Sequence, residues 1–232
     1  MLFRSAKRYD VSPQTIRKDL NELCERHLLS RVHGGAIVAS GVENIAYEAR
    51  RFVAAPEKKA IGTAAAALLP NNCSLFVNIG TTTEEVAMSL SGHEDLLVIT
   101  NNLNVAMQLY RRPRIEVIVA GGNVRRTDGG IIGSSAIDLI RQFKVDYAII
   151  GTSALDSDGD LLDFDLSEVR VSKTIIRQAR RVFLVTDHSK LGRSAPARLA
   201  SLSEVNEVFT DKAFPDDLAL LCKSWGTKIN CG

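Results

Sequence analysis

The chain has 232 residues, of which 45% are apolar and 24% are charged, and its formal net charge is only +2. This length suits one domain of ordinary size with a short appendage, and so small an excess of positive charge excludes any argument for nucleic-acid binding from overall charge alone. Four widely separated cysteines form no CxxC pair or Cys/His cluster, so we expect no disulfide framework, no metal and no other cofactor. The sequence has no signal peptide and no apolar run that would span a bilayer, so we expect a cytoplasmic protein without a membrane partner.

The charge is unevenly distributed along the chain. Residues 1–33 contain seven Lys and Arg but only four Asp and Glu, which leaves the remainder at about −1. A basic N-terminal segment ahead of a near-neutral remainder is typical of a protein that binds nucleic acid. A solvated charged face would give the same count, so charge leaves both alternatives open.

The first predicted element is a helix that begins at Pro13. Ser12 is a favoured N-cap residue, and proline is favoured at the first helical position. Ile16, Leu20 and Leu23 follow at helical spacing. Ahead of this helix, residues 2–9 are predicted to be the last turns of another.

Beyond this region the pattern changes twice. Residues 34–56 have weak periodicity and several glycines, which predicts the tail of a wing and a linker. From residue 57 short apolar strands alternate with helices, which predicts a parallel sheet buried on both faces. The predicted strands are Leu75–Ile79, Leu97–Thr100, Glu116–Ala120, Tyr147–Ile150, Arg181–Thr186 and Glu207–Thr210. The predicted helices are Glu57–Leu69, Thr82–Leu90, Leu103–Tyr110, Ser134–Gln142, Leu166–Ala179 and Asp216–Ser224.

Small and polar residues follow five of these strands, where ligands of parallel sheets bind. Gly80, Thr81, Thr82 and Thr83 open a helix whose free backbone N–H groups would favour an anion, although an ordinary N-cap would have the same composition. The other strand ends supply Thr100, Asn101, Gly121, Gly122, Arg125, Gly151, Asp156, Asp187 and Lys190. We expect these residues to converge on a small, polyhydroxylated anion, with Lys190 or Arg125 pairing its phosphate.

Two further groups have alternative interpretations. Asp165, Glu168 and Lys173 form an acid–base group at a predicted helix start, where acidic residues also simply stabilise the helix dipole. His188 lies between Asp187 and Ser189, but neighbours in sequence do not make a catalytic triad. We therefore expect no catalytic residue.

Several motifs together resemble one bacterial family. Residues 11–23 and 31–36 resemble the DNA-binding end of the DeoR family of repressors. Further similar segments are residues 78–82, 100–106, 128–133, 156–159, 168–170 and 187–193, so the resemblance runs through nearly the whole chain.

The resemblance implies a repressor of glycerol metabolism genes that binds double-stranded operator DNA. It implies an effector domain related to ribose 5-phosphate isomerase but without catalysis, and a phosphorylated effector, glycerol 3-phosphate, that releases the DNA. It also implies a homo-oligomer, a dimer or tetramer. The DNA-binding residues expected are Ser12, Gln14, Thr15, Arg17, Lys18, Arg31 and His33. The resemblance adds Glu168 to the effector site, and also Asn78, where similar chains have Asp.

Members of the family have a further helix before the one whose last turns are predicted here over residues 2–9. We therefore expect a partial winged helix-turn-helix over residues 1–35, a linker over 36–56 and an α/β effector domain with a mostly parallel sheet over 57–232. We expect the apolar face of the first predicted helix to be incompletely covered. Two alternatives remain: an isomerase-like enzyme on the same fold, and an effector-binding module that has lost DNA binding.

Overall fold

The computed structural model describes Ala6 and residues 8–25, 30–32, 35–37 and 47–232. Contacts between Cα atoms divide the chain into two compact units, Met1–Val53 and Ala54–Gly232. Each unit is described by itself.

The first unit contains the predicted helix α1, Pro13–Glu25. Its start is as expected, because Ser12 Oγ accepts a hydrogen bond from the Thr15 N–H at 3.0 Å. Ile16 is buried, whereas Leu20 and Leu23 are half-buried. Strands β1, Ser30–Val32, and β2, Gly35–Ile37, form an antiparallel hairpin that fits the expected wing. Helix α2, Tyr47–Phe52, lies within the expected linker and was not predicted.

The second unit alternates strands and helices much as the sequence predicts. Its helices are α3 Ala55–Ala67, α4 Thr81–Ser89, α5 Leu103–Leu109, α6 Ser134–Ile140, α7 Leu166–Arg177 and α8 Asp216–Trp225. Its strands are β3 Ser74–Val77, β4 Leu96–Thr100, β5 Ile115–Val119, β6 Asn123–Val124, β7 Ile131–Ile132, β8 Val145–Ile150, β9 Ala154–Leu155, β10 Asp160–Asp163, β11 Ala179–Val185, β12 Ala197–Ser201, β13 Glu207–Thr210 and β14 Lys228–Cys231.

Seven of these strands form one sheet in the order β14-β13-β11-β8-β3-β4-β5. Every pairing in it is parallel. Along β3, Leu75 and Val77 join one apolar cluster while Phe76 joins the other. The sheet is therefore buried on both faces, as the near-continuous apolar strands predict. The expected α/β fold with a mostly parallel sheet is confirmed.

Two small antiparallel groups were not predicted. Strands β12, β10 and β9 form a three-stranded sheet, and β6 pairs with β7 in a hairpin. Strands β6, β7 and β9 have two residues each, too few to produce a recognisable alternation of apolar and polar residues.

Candidate functional site

Successive strands are added to one side of β3 up to β5 and then, from β8 onward, to its other side. Strands β3, β4 and β5 follow one another towards one edge, and β8, β11, β13 and β14 follow one another towards the other. The loops after β3 and β8 therefore diverge, which opens a crevice beyond their carboxyl ends. A Cβ atom added to Gly151, after β8, would lie 3.8 Å from Thr83 Cγ2, after β3, so two of the predicted segments meet here.

The loop after β3 presents donors to this crevice. Gly80 precedes helix α4 with φ of 149°, a conformation that favours glycine. The hydroxyls of Thr81 and Thr82 make no hydrogen bond within the described part of the chain. The first N–H groups of a helix also have no intrahelical acceptor. Gly80, Thr81 and Thr82 therefore form a cradle suited to an anion.

Three other predicted residues have side chains that hold the loops instead. Thr83 Oγ1 donates to the carbonyl oxygens of Asn78 at 2.7 Å and Gly80 at 2.8 Å. Asn78 Nδ2 donates to Ser172 Oγ on α7 at 2.7 Å. Thr100 Oγ1 donates to the Val77 carbonyl at 2.6 Å. These bonds position the cradle rather than contact a ligand.

Four buried oxygen atoms at the carboxyl edge have no hydrogen-bond partner among the described residues. They are Asn101 Oδ1 after β4, Thr186 Oγ1 and Asp187 Oδ2 after β11, and Thr210 Oγ1 at the end of β13. A buried polar atom without a partner costs free energy, so such atoms need an explanation. A polyhydroxylated ligand in the crevice would supply partners to Asn101 and Asp187, whose strands β4 and β11 lie next to β3 and β8, whereas Thr210 at the end of β13 lies one strand farther away. Thr186 and Thr210 were not among the predicted site residues, although each lies at the end of a strand.

The loop after β11 carries a buried acid and a buried amine. Asp187 is fully buried, and its Oδ1 accepts hydrogen bonds from the Ser189 N–H and hydroxyl. It precedes a single 3-10 turn, His188–Lys190. Lys190 is 8% exposed. His188 instead lies beside Asp211, with its Nδ1 2.5 Å from Asp211 Oδ2.

A carboxylate that sequence reasoning missed joins two of the loops. Glu84, in the first turn of α4, is buried, and its Oε1 accepts hydrogen bonds from Asn102 Nδ2 and Asn104 Nδ2, each at 3.0 Å. Asn104 Nδ2 also donates to the Asp128 carbonyl at 3.0 Å. Glu84 thus fixes the loop after β3 to the loop after β4. Acidic residues are common in the first turn of a helix because they stabilise its dipole, so the sequence did not indicate that Glu84 joins two loops.

The predicted residues after β5 belong to a hairpin rather than to a bare loop. Gly122 has φ of 143°, and a Cβ atom there would lie 2.7 Å from the Ile132 carbonyl oxygen, so only glycine fits. Gly121 is exposed. Arg125 follows β6 and forms ion pairs with Asp128 at 2.5 Å, Asp165 at 2.8 Å and Glu168 at 2.7 Å.

Arg125, Asp128, Asp165 and Glu168 form a group, called the Arg125 cluster, whose interactions shift the pKa values of Arg125 and Asp165. Burial alone would lower the pKa of Arg125, but the attraction of Glu168 and Asp128 and the hydrogen bonds to its partners outweigh burial and raise it. Burial opposes ionisation of Asp165 as well, yet its hydrogen bonds to Arg125 and to the Ser167 N–H hold its pKa below the ordinary value. Arg125 is already surrounded by carboxylates, so it is not the free cation that the sequence suggested for a phosphate.

Asp156 does not lie at the carboxyl edge of the sheet, where the sequence predicted it. It lies in the turn between β9 and β10, where its N–H donates to the Asp160 carbonyl at 3.0 Å. A Cβ atom added to Gly159 of the same turn would lie 2.9 Å from the Trp225 ring, and the Gly159 carbonyl oxygen accepts a hydrogen bond from the Leu202 N–H at 2.9 Å. Trp225 precedes β14 and Leu202 precedes β13, so this turn lies at the amino end of the sheet. The antiparallel return of β10 carries Asp156 away from the carboxyl edge.

The predicted DNA-binding residues lie in the first unit. The side chains of Ser12, Gln14, Thr15, Arg17 and Lys18 are exposed. Ile16 faces inward between them, with 9% of its surface exposed. Helix α1 therefore presents a polar, basic face at its N-terminal half. Arg31 is in strand β1, and His33 lies outside the described residues.

The described ranges contain neither a cluster of metal ligands nor a membrane-spanning helix. These residues contain no group of three or more His, Cys, Asp or Glu that could hold a metal ion. Every helix that they form is too short or too polar to cross a bilayer.

Comparison with known proteins agrees with this division of the chain. Residues 4–42 match the DeoR-like helix-turn-helix domain, and residues 53–212 match the DeoR C terminal sensor domain. The chain belongs to the DeoR family. The glycerol-3-phosphate regulon repressor of Escherichia coli (strain K12) is 47% identical over 89% of this chain and 82% of its own length.

Two solved structures are similar to the DeoR-family fold seen here. The eIF2B delta structure from Chaetomium thermophilum covers 69% of this chain and 57% of its own, with a TM-score of 0.52 and 13% identity, which shows a shared fold alone. Ribose 5-phosphate isomerase from Plasmodium falciparum covers 58% of this chain and 52% of its own, with a TM-score of 0.43 and 15% identity. The 47% identical relative is named as a repressor, and this chain shares the DeoR-like helix-turn-helix match over residues 4–42.

Proposed function

We propose that the chain represses genes of glycerol 3-phosphate metabolism. It binds double-stranded operator DNA through α1 and releases it when a phosphorylated small molecule, glycerol 3-phosphate, binds at the carboxyl edge of the sheet. The name of the 47% identical relative supports the choice of regulon. The observation that carries the choice of ligand class is the combination of an anion cradle after β3 with buried oxygen atoms that lack partners among the described residues at the carboxyl ends of β4 and β11, the strands beside β3 and β8.

The residues fall into three roles in this proposal. Gly80, Thr81 and Thr82 hold the phosphate through backbone N–H groups and hydroxyls, and Lys190 adds positive charge. Asn101 and Asp187 accept hydrogen bonds from the ligand's hydroxyls. The remaining residues shape the crevice: Asn78, Thr83, Thr100, Gly121, Gly122, Arg125, Gly151 and Glu168.

The DNA-binding role follows from the face of α1. The N-terminal residues of a recognition helix reach base edges and phosphates in the major groove. Gln14, Thr15, Arg17 and Lys18 occupy these positions and are exposed, and Ser12 fixes the start of the helix. Arg31 and His33 are assigned to phosphate contacts. Palindromic operators would need two such helices, so the active protein is a dimer or a tetramer. A repressor of this kind would act in the cytoplasm.

A calorimetric titration tests the ligand. Glycerol 3-phosphate should bind, and glycerol should bind far more weakly, because only the phosphate uses the cradle. Equal affinity for the two would contradict the anion site. Glycerol 3-phosphate should also release an operator fragment from the protein, and binding of ligand without release would contradict the repressor mechanism.

A further inference from the structure

A second groove lies on the outer side of the effector unit, between helices α6 and α7. It encloses about 360 Å³, and four basic side chains line it: Arg141, Arg170, Lys173 and Arg177. Asp138 is the one acidic residue of the lining. We refer to this groove as the α6–α7 groove.

The positive charge in the α6–α7 groove is mostly unpaired. Arg141 has a loose ion pair with Asp138 at 3.4 Å, and both side chains are exposed. Arg170, Lys173 and Arg177 make no ion pair within the described part of the chain. The whole unit Ala54–Gly232 has 20 Lys and Arg against 21 Asp and Glu. The excess of positive charge is therefore a local property of the groove.

The basic residues continue into a neighbouring cavity. Lys173 and Arg177 also line a cavity of about 160 Å³ together with Arg198 and Glu204. The two carboxylates near that cavity are already engaged, since Asp160 pairs with Arg198 at 2.7 Å and Glu204 accepts the Ser201 N–H at 3.0 Å. Glu204 keeps its negative charge, because a backbone N–H carries none, and so it offsets part of the positive charge of this small cavity, but it does not line the α6–α7 groove.

Helical geometry sets the spacing of these charges. Residues 170, 173 and 177 are three and four positions apart, so they share one face of α7. At about 1.5 Å per residue they extend over roughly 10 Å of the helix axis. Two linked phosphate groups would contact more of this row than a single phosphate. The volume of the groove falls at the lower end of the range of roughly 300–1,000 Å³ for small-molecule pockets.

We propose that the α6–α7 groove is a second binding site, for a small metabolite that carries two phosphate groups. This site is distinct from the carboxyl-edge crevice, because Ser172, on the opposite face of α7, is fully buried and bonded to Asn78 of the crevice. Helix α7 therefore lies between the two sites and has residues in contact with each of them. The proposal does not depend on which ligand the crevice takes.

Pyrophosphate is the probe for a calorimetric test with the full chain. It should bind more tightly than inorganic phosphate, and equal affinity for the two would overturn a site for two phosphate groups. The double variant Arg170→Gln/Lys173→Gln should weaken pyrophosphate binding about tenfold, because the two lost contacts are with solvent-exposed or half-exposed charges and each is weak. The matched double variant Lys223→Gln/Lys228→Gln changes two exposed lysines elsewhere and should leave the affinity unchanged.

Two further measurements separate this proposal from others. Glycerol 3-phosphate affinity should be the same in both double variants; if glycerol 3-phosphate fails to bind any of these proteins, the proposed effector is wrong while the groove result stands. A random-sequence DNA duplex should bind both double variants alike. If the groove variant lost duplex binding and kept its pyrophosphate affinity, the groove would be a nucleic-acid surface and the proposal would be overturned.

Discussion

Arg125, in the hairpin of β6 and β7, and Glu168, in the first turn of α7, lie 2.7 Å apart although 43 residues separate them in sequence. Only 17% of the Arg125 side chain is exposed. The pair ties the hairpin to the helix, and Asp128 and Asp165 complete the cluster. Loss of the arginine would remove the cation that the three carboxylates share.

Replacing Arg125 should therefore destabilise the effector unit. Removing one partner of a largely buried ion pair typically costs about 3–5 kcal/mol, and partial exposure places Arg125→Met at roughly 3 kcal/mol. Urea unfolding monitored by circular dichroism measures this change. The neighbouring Arg126→Met removes an exposed charge and should change the free energy of unfolding by less than about 0.5 kcal/mol. Equal effects would mean that the cluster contributes nothing.

Acid should weaken the same cluster. The pKa of Asp165 is lower in the folded chain than its ordinary value of 3.8, so its contribution to stability is present above pH 4 and is lost as the pH falls through the lowered value. Asp165→Asn should flatten the fall in unfolding free energy between about pH 4 and pH 2. Thermal melts at a series of pH values compare the two proteins. An unchanged slope would show that Asp165 titrates as it does in the unfolded chain.

Thr82 and Thr83 should separate ligand binding from stability. Thr82→Ala should weaken glycerol 3-phosphate binding about tenfold, since one contact to a charged group is worth ~1.5–3 kcal/mol. Thr83→Ala removes one internal hydrogen bond that the hydroxyl shares between two carbonyl oxygens and should lower the unfolding free energy by about 1 kcal/mol. Calorimetry and urea unfolding of both variants test this. Unchanged affinity in Thr82→Ala would move the phosphate elsewhere.

Arg17 should affect DNA and not the effector. Arg17→Ala removes an exposed cation from α1, which should weaken operator binding and reduce its dependence on salt concentration by about one phosphate contact. Glycerol 3-phosphate affinity should stay the same. A gel-shift series in increasing salt measures the effect, with Lys223→Ala as the control. Parallel loss of both activities would indicate misfolding instead.

The effector unit should work by itself. Contacts between Cα atoms separate Ala54–Gly232 from the rest of the chain, and both apolar clusters of the sheet lie within it. A fragment of residues 54–232 should therefore fold and bind glycerol 3-phosphate with the affinity of the full chain. Calorimetry on the fragment is the measurement. An insoluble fragment, or one without affinity, would show that the domain division is wrong.

Long regular elements were the predictable part of the fold. All six strands predicted for the body lie in the seven-stranded sheet, with ends shifted by one or two residues, as at Ser74–Val77 and Ala179–Val185. The seventh strand, Lys228–Cys231, was missed because it is an edge strand without a continuous apolar run. Helix Tyr47–Phe52 was missed because six residues give too little periodicity.

The candidate site was predictable where its signal was local. Gly80 and the threonines after it were recognisable because a strand, a glycine and a helix follow one another directly. Asp156 was misplaced because the same rule was applied to a segment that turns back in an antiparallel hairpin. The bonds of Glu84 and Arg125 join segments 18 to 43 residues apart, and no local pattern reports such contacts.

The order in which strands are added on the two sides of β3 also bears on how the protein is made. The anion cradle follows residue 77, but the segment that faces it follows residue 150, because Val77 pairs with Ile149 in the neighbouring strand. During synthesis the first three strands of the sheet are therefore complete while the crevice still lacks one wall. A nascent chain should be unable to respond to its ligand until residues beyond Gly151 have emerged and paired. The ligand would then act on folding as well as on DNA, by favouring the finished sheet over its shorter precursors.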